Sequence, residues 1–439
     1  MSRYPNSGLE QLRQSLAYKC MKMAKFDEFE PTTIHFATYQ KAGESTNWKK
    51  CLPLKAAIVY HCITGEHVKE ETKDGEPVKG KAQELLENIT KECVSRINKA
   101  ASEAKTKGST DRTSITVEDD AQVMDGIFLV VGFLAELKKH LDNGNREEAV
   151  SYYNLTPSES QIIVKDIIKI ENQLPLELIK DIVNNVEDAI KAVETPQQQT
   201  FGYKLSFKKI ALHDIINQFC WYYSPFHRKE PRNIGDVLEK GKPEYLLQCL
   251  HFSLKGDKTN GATTGQVRRS PSARQLKRSG VRLEATSEAT IDVLFSRPKL
   301  QMPALVYDFK LETVVTNLLG WECWPEKQQK PMTRYLQFTT ELVGDLSDVQ
   351  VMKKFGLIRG RWKNLQEVLD LMKRIDRSAS YPSVYIALDK QIGEVLQYHD
   401  ERMKSFFVRN RPTVVWLSSF AAASAIATVI YASRRRRQG

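Results

Sequence analysis

The chain has 439 residues, of which 41% are hydrophobic, so it is long enough for one large packed domain or two smaller ones. Its net charge of +11 is unevenly distributed: residues 401–439 carry eight lysines and arginines and one acid, and the first 400 residues carry a net charge of only +4. A groove that follows a nucleic-acid backbone needs a concentrated basic face. The charge distribution therefore argues against nucleic-acid binding.

The seven cysteines are thinly spread, and no two of them form a CxxC pair. This spacing predicts reduced thiols rather than a disulfide framework. Cys51, His61 and Cys62 could supply soft metal ligands, but no fourth ligand has a matching spacing, so we predict no metal and no cofactor. The first twenty residues lack a continuous apolar run, which predicts that there is no cleavable signal peptide.

Two helical segments come first in the chain. In residues 81–100, one side of the predicted helix carries apolar residues at four-residue spacing: Leu85, Ile89, Cys93 and Ile97. Residues 117–141 begin with acids that suit a helix N-terminus and end with lysines. The middle of this second segment is apolar on every side, so we expect it at the centre of the core.

The sequence IENQLP, residues 170–175, interrupts a helical pattern. Apolar residues at helical spacing lie on both sides of it: Ile163, Ile167, Ile170 and Leu174 before, and Ile179, Val183, Val186, Ile190 and Val193 after. Pro175 suits the first turn of a helix, where its missing N–H costs little. We therefore predict two helices that meet at a polar elbow formed by Glu171, Asn172 and Gln173.

The second half of the chain combines helices with a small β element. Residues 207–223 and 243–254 have helical patterns, and residues 255–272 read as an exposed basic loop or linker. Residues 273–280 predict a short helix closed by Gly280. Two β-favouring runs on either side of residues 296–298 predict a hairpin, and the chain reads as helical again to about residue 408.

The C-terminal region predicts a membrane span. Residues 413–432 contain no charge, and twenty residues at about 1.5 Å each cross the roughly 30 Å hydrocarbon core of a bilayer. We assign the transmembrane helix to residues 412–433 and a basic tail to residues 434–439. The expected anchoring residues are Trp416, Tyr431, Arg434, Arg435, Arg436 and Arg437. A buried C-terminal helix is the alternative.

The common catalytic motifs do not occur: the chain has no phosphate loop, no GxGxxG, no GxSxG and no HExxH. We therefore assign no catalytic residue. The elbow has two interpretations. Its polar side chains could satisfy backbone groups that are freed where the helices break, which we favour, or they could line a ligand or partner site.

Two further patterns have structural and functional interpretations. Residues 268–282 carry six basic residues and no acid, which is typical of a solvated surface but could also mark phosphorylation at Ser270 or Ser272, or a patch for anionic lipid. Asn88 and Asn154 each begin a glycosylation triplet, which matters only for an extracellular domain, and Asn88 lies on a predicted helix.

Six stretches resemble, in order, the motifs of a plant-specific family, domain of unknown function 247. IENQLP resembles the family's LENQ(I/L)P, MDGIF its LDGCF, and SARQLKRSGVRL its SATELREAGVKF. Residues 29–43, residues 300–323 and residues 335–358 resemble three further blocks. The positions that carry the resemblance most clearly are Asp125, Gly126, Glu171, Asn172, Gln173, Pro175, Gly280, Asn317 and Glu322.

The resemblance covers roughly residues 29–432 and implies architecture more than mechanism. The family has no established enzymatic activity or cofactor, and some grass members are linked genetically to self-incompatibility. One block departs from the family pattern: where the family has Gly-Pro and His-His, this chain has Ala37-Thr38 and Gln40-Lys41, although Tyr39 is kept. Any metal or acid–base role of that block in other members would be lost here.

These observations predict a mainly α fold of the α+β type, with a helix-rich globular body, a small β-hairpin element and one C-terminal transmembrane helix. The family domain would have a helical N-terminal part, residues 1–254, and a C-terminal part with the β element, residues 273–408. We expect a single-pass, tail-anchored membrane protein whose bulk faces the cytosol. Its membrane could be the plasma membrane or an organelle outer membrane.

The leading hypothesis for function is a non-enzymatic, membrane-anchored recognition or scaffold protein with protein partners, with no nucleic acid and no identifiable small-molecule ligand. One alternative is a membrane-tethered enzyme with an unrecognised site at the elbow and the acids Asp119, Asp120 and Asp125; it requires a concave pocket around these residues. The other is an extracellular recognition protein of the self-incompatibility type.

Overall fold

The structure is a computed structural model of the chain. It describes residues 7–24, 26–37, 46–65, 78–106, 120–152, 155–201, 205, 207–208, 210–256, 267–323, 329–378 and 385–404.

Helices make up most of the described chain, which confirms the mainly α prediction. The first nine are α1 Ser7–Gln14, α2 Leu16–Ala24, α3 Phe26–Phe29, α4 Thr46–Thr64, α5 Val78–Thr106, α6 Asp120–Ile127, α7 Ala135–Asp142, α8 Pro157–Ile168 and α9 Leu176–Phe201. The next nine are α10 Leu212–Tyr223, α11 Gly235–Gly241, α12 Leu246–Leu254, α13 Ala273–Arg278, α14 Leu311–Trp321, α15 Pro331–Glu341, α16 Leu346–Lys354, α17 Leu365–Ser378 and α18, residues 387–404.

The N-terminal half packs around α5, which contacts α4, α6 and α9. The predicted stripe of α5 is buried along its length: Leu85, Ile89, Cys93 and Ile97. Between α6 and α7 the chain winds as a π-helix, Phe128–Leu134, in which every residue is buried. The prediction of a central, all-apolar segment is therefore confirmed, although its pattern gave no sign of π winding.

Two small sheets lie in the C-terminal half. In the first, β3 Lys299–Pro303 lies between β1 Arg282–Thr286, which is parallel to it, and β2 Leu294–Ser296, which is antiparallel. The second pairs β4 Leu305–Tyr307 in parallel with β5 Ile358–Gly360. The antiparallel pair β2–β3 confirms the predicted hairpin. The helical prediction for the chain beyond it missed β5, because three residues are too few to carry a strand pattern.

Helix α14 joins the two halves of the body. It contacts α2, α3 and α8 from the N-terminal half and α12, α15 and α17 from the C-terminal half. Ten of its eleven residues are buried, and at Gly320 an added Cβ would lie 2.6 Å from Cε1 of Phe29. The close approach of α3 to α14 therefore requires glycine at this position. The N-terminal helices are consequently held against residues some 290 positions away in sequence.

No helix in the described part of the chain is long and apolar enough to cross a membrane. The predicted span, residues 412–433, and the anchoring residues Trp416, Tyr431 and Arg434 to Arg437 lie outside the described residues. The expected basic loop, residues 255–272, is described only at its two ends, where Gly256 and Ser270 are buried.

Candidate functional site: a buried polar hub

The elbow between α8 and α9 is built as the sequence predicts. Helix α8 ends at Ile168, residues 170–172 form one 3₁₀ turn, and α9 begins at Leu176. Pro175 stands one residue before the helix, where its carbonyl accepts from the N–H of Ile179 and where it pairs with Tyr245 in an isolated β-bridge. We call the side chains that meet around this elbow the polar hub: Asp125, Asp166, Glu171, Asn172 and Gln173.

Glu171 is 1% exposed and accepts from three side chains of the first two helices. Arg13 Nε lies 3.1 Å from Oε2, and Tyr18 Oη and Lys22 Nζ each lie 2.8 Å from Oε1. Burial alone would lower the pKa of Lys22, but the hydrogen bond and attraction of Glu171 outweigh it and raise that pKa. Burial and the neighbouring Glu171 charge also raise the pKa of Tyr18, so its hydroxyl stays a donor.

The two amides of the elbow bond to the backbone. The Asn172 oxygen accepts from Phe36 N at 2.7 Å, and its nitrogen donates to the carbonyls of Ile34 and Asp166. The Gln173 nitrogen donates to carbonyls near the end of α8, those of Ile167 and Lys169, and its oxygen accepts from Leu247 N. Carbonyls freed where α8 ends are thus satisfied by side chains, which is the structural role favoured for the elbow.

Asp166 holds the N-terminal segment in place. Its carboxylate is fully buried and accepts from the backbone N–H groups of Thr32, Thr33 and Ile34 at 3.0, 2.7 and 2.9 Å. Lys169 Nζ lies 3.1 Å from the same carboxylate and donates to the carbonyl of Glu30. Three N–H groups and one ammonium on a carboxylate compensate its removal from water.

Asp125 forms a second buried ion pair, with Lys55, at 2.5 Å. Both side chains are 0% exposed, and the carboxylate also accepts from Ala37 N and from the indole N–H of Trp48. Burial raises the pKa of Asp125 against the opposing effect of these donors. The adjacent Gly126 lets α6 approach α9, because an added Cβ would lie 2.1 Å from Cδ1 of Ile182.

Two motif residues of α14 have similar roles. The Asn317 oxygen accepts from Ile170 N at 2.8 Å, and its nitrogen donates to the carbonyls of Glu28 and Thr313. Glu322 is fully buried with His251 Nε2 at 2.7 Å and accepts from the N–H groups of Met332 and Thr333. Burial alone would raise the pKa of Glu322, but the His251 and Thr333 bonds lower it below the usual value.

The ninth motif residue, Gly280, closes α13 as predicted. Its φ of +92° is a left-handed conformation that side-chain-bearing residues adopt with strain. The N–H of Gly280 bonds to the carbonyl of Lys277, and the N–H of Val281 bonds to that of Leu276. This is the Schellman arrangement of a helix C-terminus. At the other end of α13, Ser272 is the N-cap, and Ser270 is buried.

Of the acids that the enzyme hypothesis adds to the elbow, the structure brings Asp125 into the polar hub but not Asp120. Asp120 is exposed at the start of α6, whereas Asp125 is buried, and Asp119 lies outside the described residues. Glu171 and Asp125 each have their own cation. Four clefts among the described residues have no motif residue in their walls. The described residues contain no group of three or more potential metal ligands.

Sequence reasoning missed the partners of the motif residues. Asp166 and Lys55 lie within apolar helical patterns, where a single charged residue reads as a solvated position. The sequence did contain one signal, an isolated charge on an otherwise apolar helix face. Such a charge needs a buried partner, because burying an unpaired charge costs free energy. Asn88 is half-buried on α5, and Thr90 of its triplet is buried and bonds to the Leu86 carbonyl; Asn154 lies outside the described residues.

The sequence profile of a family described as plant protein of unknown function, domain of unknown function 247, matches residues 19–431. This chain belongs to that family. The match covers part of α2, every element from α3 to α18 and all nine motif residues named above. In this member, the motif residues of the polar hub and Asn317 of α14 make internal contacts.

One relative gives a shorter match. A putative UPF0481 protein of Arabidopsis thaliana is 26% identical over 137 residues, which are 30% of this chain and 26% of that protein. The aligned region thus spans about a quarter of the relative's length. No solved structure matches the chain.

Proposed function

We propose that this family member is a non-enzymatic, membrane-anchored recognition or scaffold protein that acts through protein partners. The observation that carries the proposal is that the family motif is used inside the fold. A general acid or base must come within hydrogen-bond distance of a substrate proton. Asp125, Asp166 and Glu171 are fully buried and already accept from several donors of the chain itself.

The membrane part of the proposal rests on the predicted span, residues 412–433, and on the charge around the end of α18. Arg402 Nε lies 3.5 Å from the carbonyl of Ser279, which puts the end of α18 beside the end of α13. Arg278, Arg282 and Lys404 are exposed on these segments. A basic surface beside the last described residues of α18 suits the anionic cytosolic face of a membrane, and we propose that the bulk of the chain lies on that side.

Topology is the first test. We would express the full chain with an N-terminal tag in plant cells, isolate sealed vesicles and treat them with protease, with carbonate extraction alongside. The proposal expects a carbonate-resistant protein whose tag is digested from the cytosolic side. A chain that ends at residue 404 is the matched control and should be released by carbonate. Carbonate release of the full chain would contradict the anchor, and a tag reached only from outside would favour extracellular recognition.

A second experiment separates the scaffold from the enzyme. Glu171→Gln keeps the shape of the side chain and removes its charge. In native membranes the proposal expects the folded variant to remain bound to the same partner proteins as the unchanged chain. It should also replace the unchanged chain in a plant that lacks it. A variant that is folded and bound to its partners but cannot replace the unchanged chain would support a catalytic Glu171 instead.

A further inference from the structure

A solvent-open cleft lies on the surface of the described chain, and none of its lining residues belongs to the family motif. It consists of two adjoining cavities of about 410 and 360 Å³, which share Glu147, Glu148, Asp308 and Arg361 in their walls. Cavities of roughly 300–1,000 Å³ are the size that proteins use for ligands. We call the pair the two-part cleft.

The two parts differ in chemistry. Besides the four shared residues, the larger cavity is lined by five apolar residues, Ala149, Leu155, Pro157, Tyr307 and Phe309, and by the polar residues Ser151, Ser160 and Gln161. The smaller cavity is basic, with Arg146, His227, Arg228, Lys229 and Lys310 in its wall. Counted with the shared residues, the smaller cavity has five lysines and arginines against three acids. A ligand that fills both parts must be apolar at one end and anionic at the other.

Arg146 makes the basic part rigid. Its guanidinium donates to the carbonyls of Trp221, Ser224, Phe226 and Arg228, and it lies 5.5 Å from the centre of the Trp221 ring. The bonds fix the loop after α7 to the loop after α10. Because its acceptors are neutral carbonyls, the positive charge remains available to the cleft, and burial lowers the pKa of Arg146 to about 10.

Lys310 adds a second buried cation in the wall of the same cavity. Its side chain is 4% exposed, and in the described part of the chain its ammonium has one carboxylate acceptor, Asp308. It also lies 4.6 Å from the centre of the Tyr222 ring. Lys310 therefore contributes charge to the wall of the cavity from a buried position. Burial lowers the pKa of Lys310, as expected for a cation that is only partly compensated.

Exposed cations lie around these two buried ones. The Arg361 side chain is 83% exposed and lies 3.9 Å from Glu148, and Lys229 is exposed. Burial lowers the pKa of His227, and the charges of Arg359 and Arg146 lower it further. The neighbourhood is therefore electropositive where the cleft opens. The acids Glu147, Glu148 and Asp308 lie in the walls that both parts share.

We propose that the two-part cleft binds a short segment of a partner protein in which acidic residues are followed or preceded by apolar ones. Its carboxylates would meet the exposed Lys229 and Arg361, and its apolar side chains would cover Leu155, Tyr307 and Phe309. A free small anion would leave the apolar part uncovered. A nucleic-acid backbone, charged at every nucleotide, would meet Glu147, Glu148 and Asp308. The inference rests on the proposed function, because it specifies the chemistry of the protein partner.

The test is an unbiased peptide selection on the purified full chain in detergent. A display library of random twelve-residue peptides is selected, and the enriched peptides are synthesised and titrated. We expect a consensus with acidic and apolar residues at separate ends. Replacing the acids of the best peptide by amides, or its apolar residues by serine, should each weaken binding by about tenfold or more.

Two variants of the chain connect binding to the cleft. Arg361→Glu and Lys229→Glu change exposed side chains and should each weaken the selected peptide by about tenfold, with a steep dependence on salt. Arg377→Glu is the matched control: it makes the same charge change at an exposed position of α17, outside the cleft, and should leave affinity unchanged. The inference is overturned if nothing is enriched, if the enriched peptides lack acids, or if all three variants bind alike.

Failure here and failure of the proposed function give different results. If the chain resists carbonate and stays in its native complex while the cleft variants have no effect, the scaffold proposal stands and its partner binds elsewhere. If carbonate releases the chain, the anchor fails whatever the peptides do.

Discussion

In the polar hub, Glu171 meets Arg13, Tyr18 and Lys22, whereas in the two-part cleft Lys310 meets one carboxylate and the Arg361 side chain is 83% exposed. Both regions bring charged side chains together from distant parts of the chain. In the hub, every charge is matched by donors or acceptors of the fold, so replacing one partner should cost stability. In the cleft, charge remains that the fold does not match, so replacing it should cost binding. Charged residues therefore contribute to stability where their partners belong to the fold, and remain available for binding where they do not.

The largest expected effect is at the Lys55–Asp125 pair. Lys55→Met leaves a carboxylate uncompensated inside the body, so we expect the free energy of unfolding to fall by about 3–5 kcal/mol. The double variant with Asp125→Asn should recover part of this loss. Urea unfolding of the four chains measures the coupling. Lys139→Met, which removes the exposed Lys139–Glu136 pair, should cost less than about 1 kcal/mol. Equal losses of unfolding free energy at the two sites would show that the buried pair contributes no more to stability than the exposed pair.

Asn172→Ala comes next. It deprives Phe36 N and the carbonyls of Ile34 and Asp166 of their partner, and we expect a loss of about 2–3 kcal/mol. Hydrogen exchange should accelerate first in residues 32–37. Asn185→Ala is the control, because its half-buried amide makes one bond to the Asp181 carbonyl. Unchanged exchange in residues 32–37 would mean that the hub does not hold the N-terminal segment.

The third prediction concerns acid. The folded pKa of Glu322 is below its unfolded value of about 4.5, so its contribution is present above that pH and is lost as the pH falls through the folded pKa. Glu322→Gln should lower stability at neutral pH by about 1–3 kcal/mol and flatten the decline in acid. Burial raises the pKa of Glu341, so Glu341→Gln should not flatten the acid decline. Unfolding free energies from pH 3 to 7 test both.

The smallest effect is expected in the cleft. Arg361→Glu and Lys229→Glu should change the free energy of unfolding by less than about 0.5 kcal/mol, because neither side chain is buried. Thermal and urea unfolding, run beside the Arg377→Glu control, check this. A loss of more than about 1 kcal/mol from either cleft variant would place these charges in the stabilising network and end the contrast with the hub.

Much of the helical architecture could be predicted from the sequence, since it depends on local periodicity. The stripe of α5, the elbow between α8 and α9, and the closure of α13 at Gly280 follow from residues within a few turns of one another. The elbow proline stands one residue outside the helix rather than in its first turn, which is the usual uncertainty of helix ends. The three-residue strand β5 carries too little pattern to be recognised.

The hydrogen-bond and ion-pair partners of the buried polar residues are distant in sequence. Glu171 accepts from side chains 149–158 positions away, and the walls of the two-part cleft come from four separate segments. A sequence pattern indicates that a charge on an apolar face needs a partner, but it does not say which one. For the same reason the family motif could be found from the sequence, whereas its role in packing required the structure.

The bond between the Asn317 side chain and the Glu28 carbonyl spans 289 positions of the chain. A ribosome adds roughly 5–20 residues per second, so α3 emerges about 15–60 s before its hydrogen-bond donor on α14 is synthesised. During that interval the side of Phe29 that packs against Gly320 of α14 is uncovered. We expect nascent chains of this protein to depend on chaperones until α14 has emerged, and a chain truncated before that helix to aggregate rather than fold.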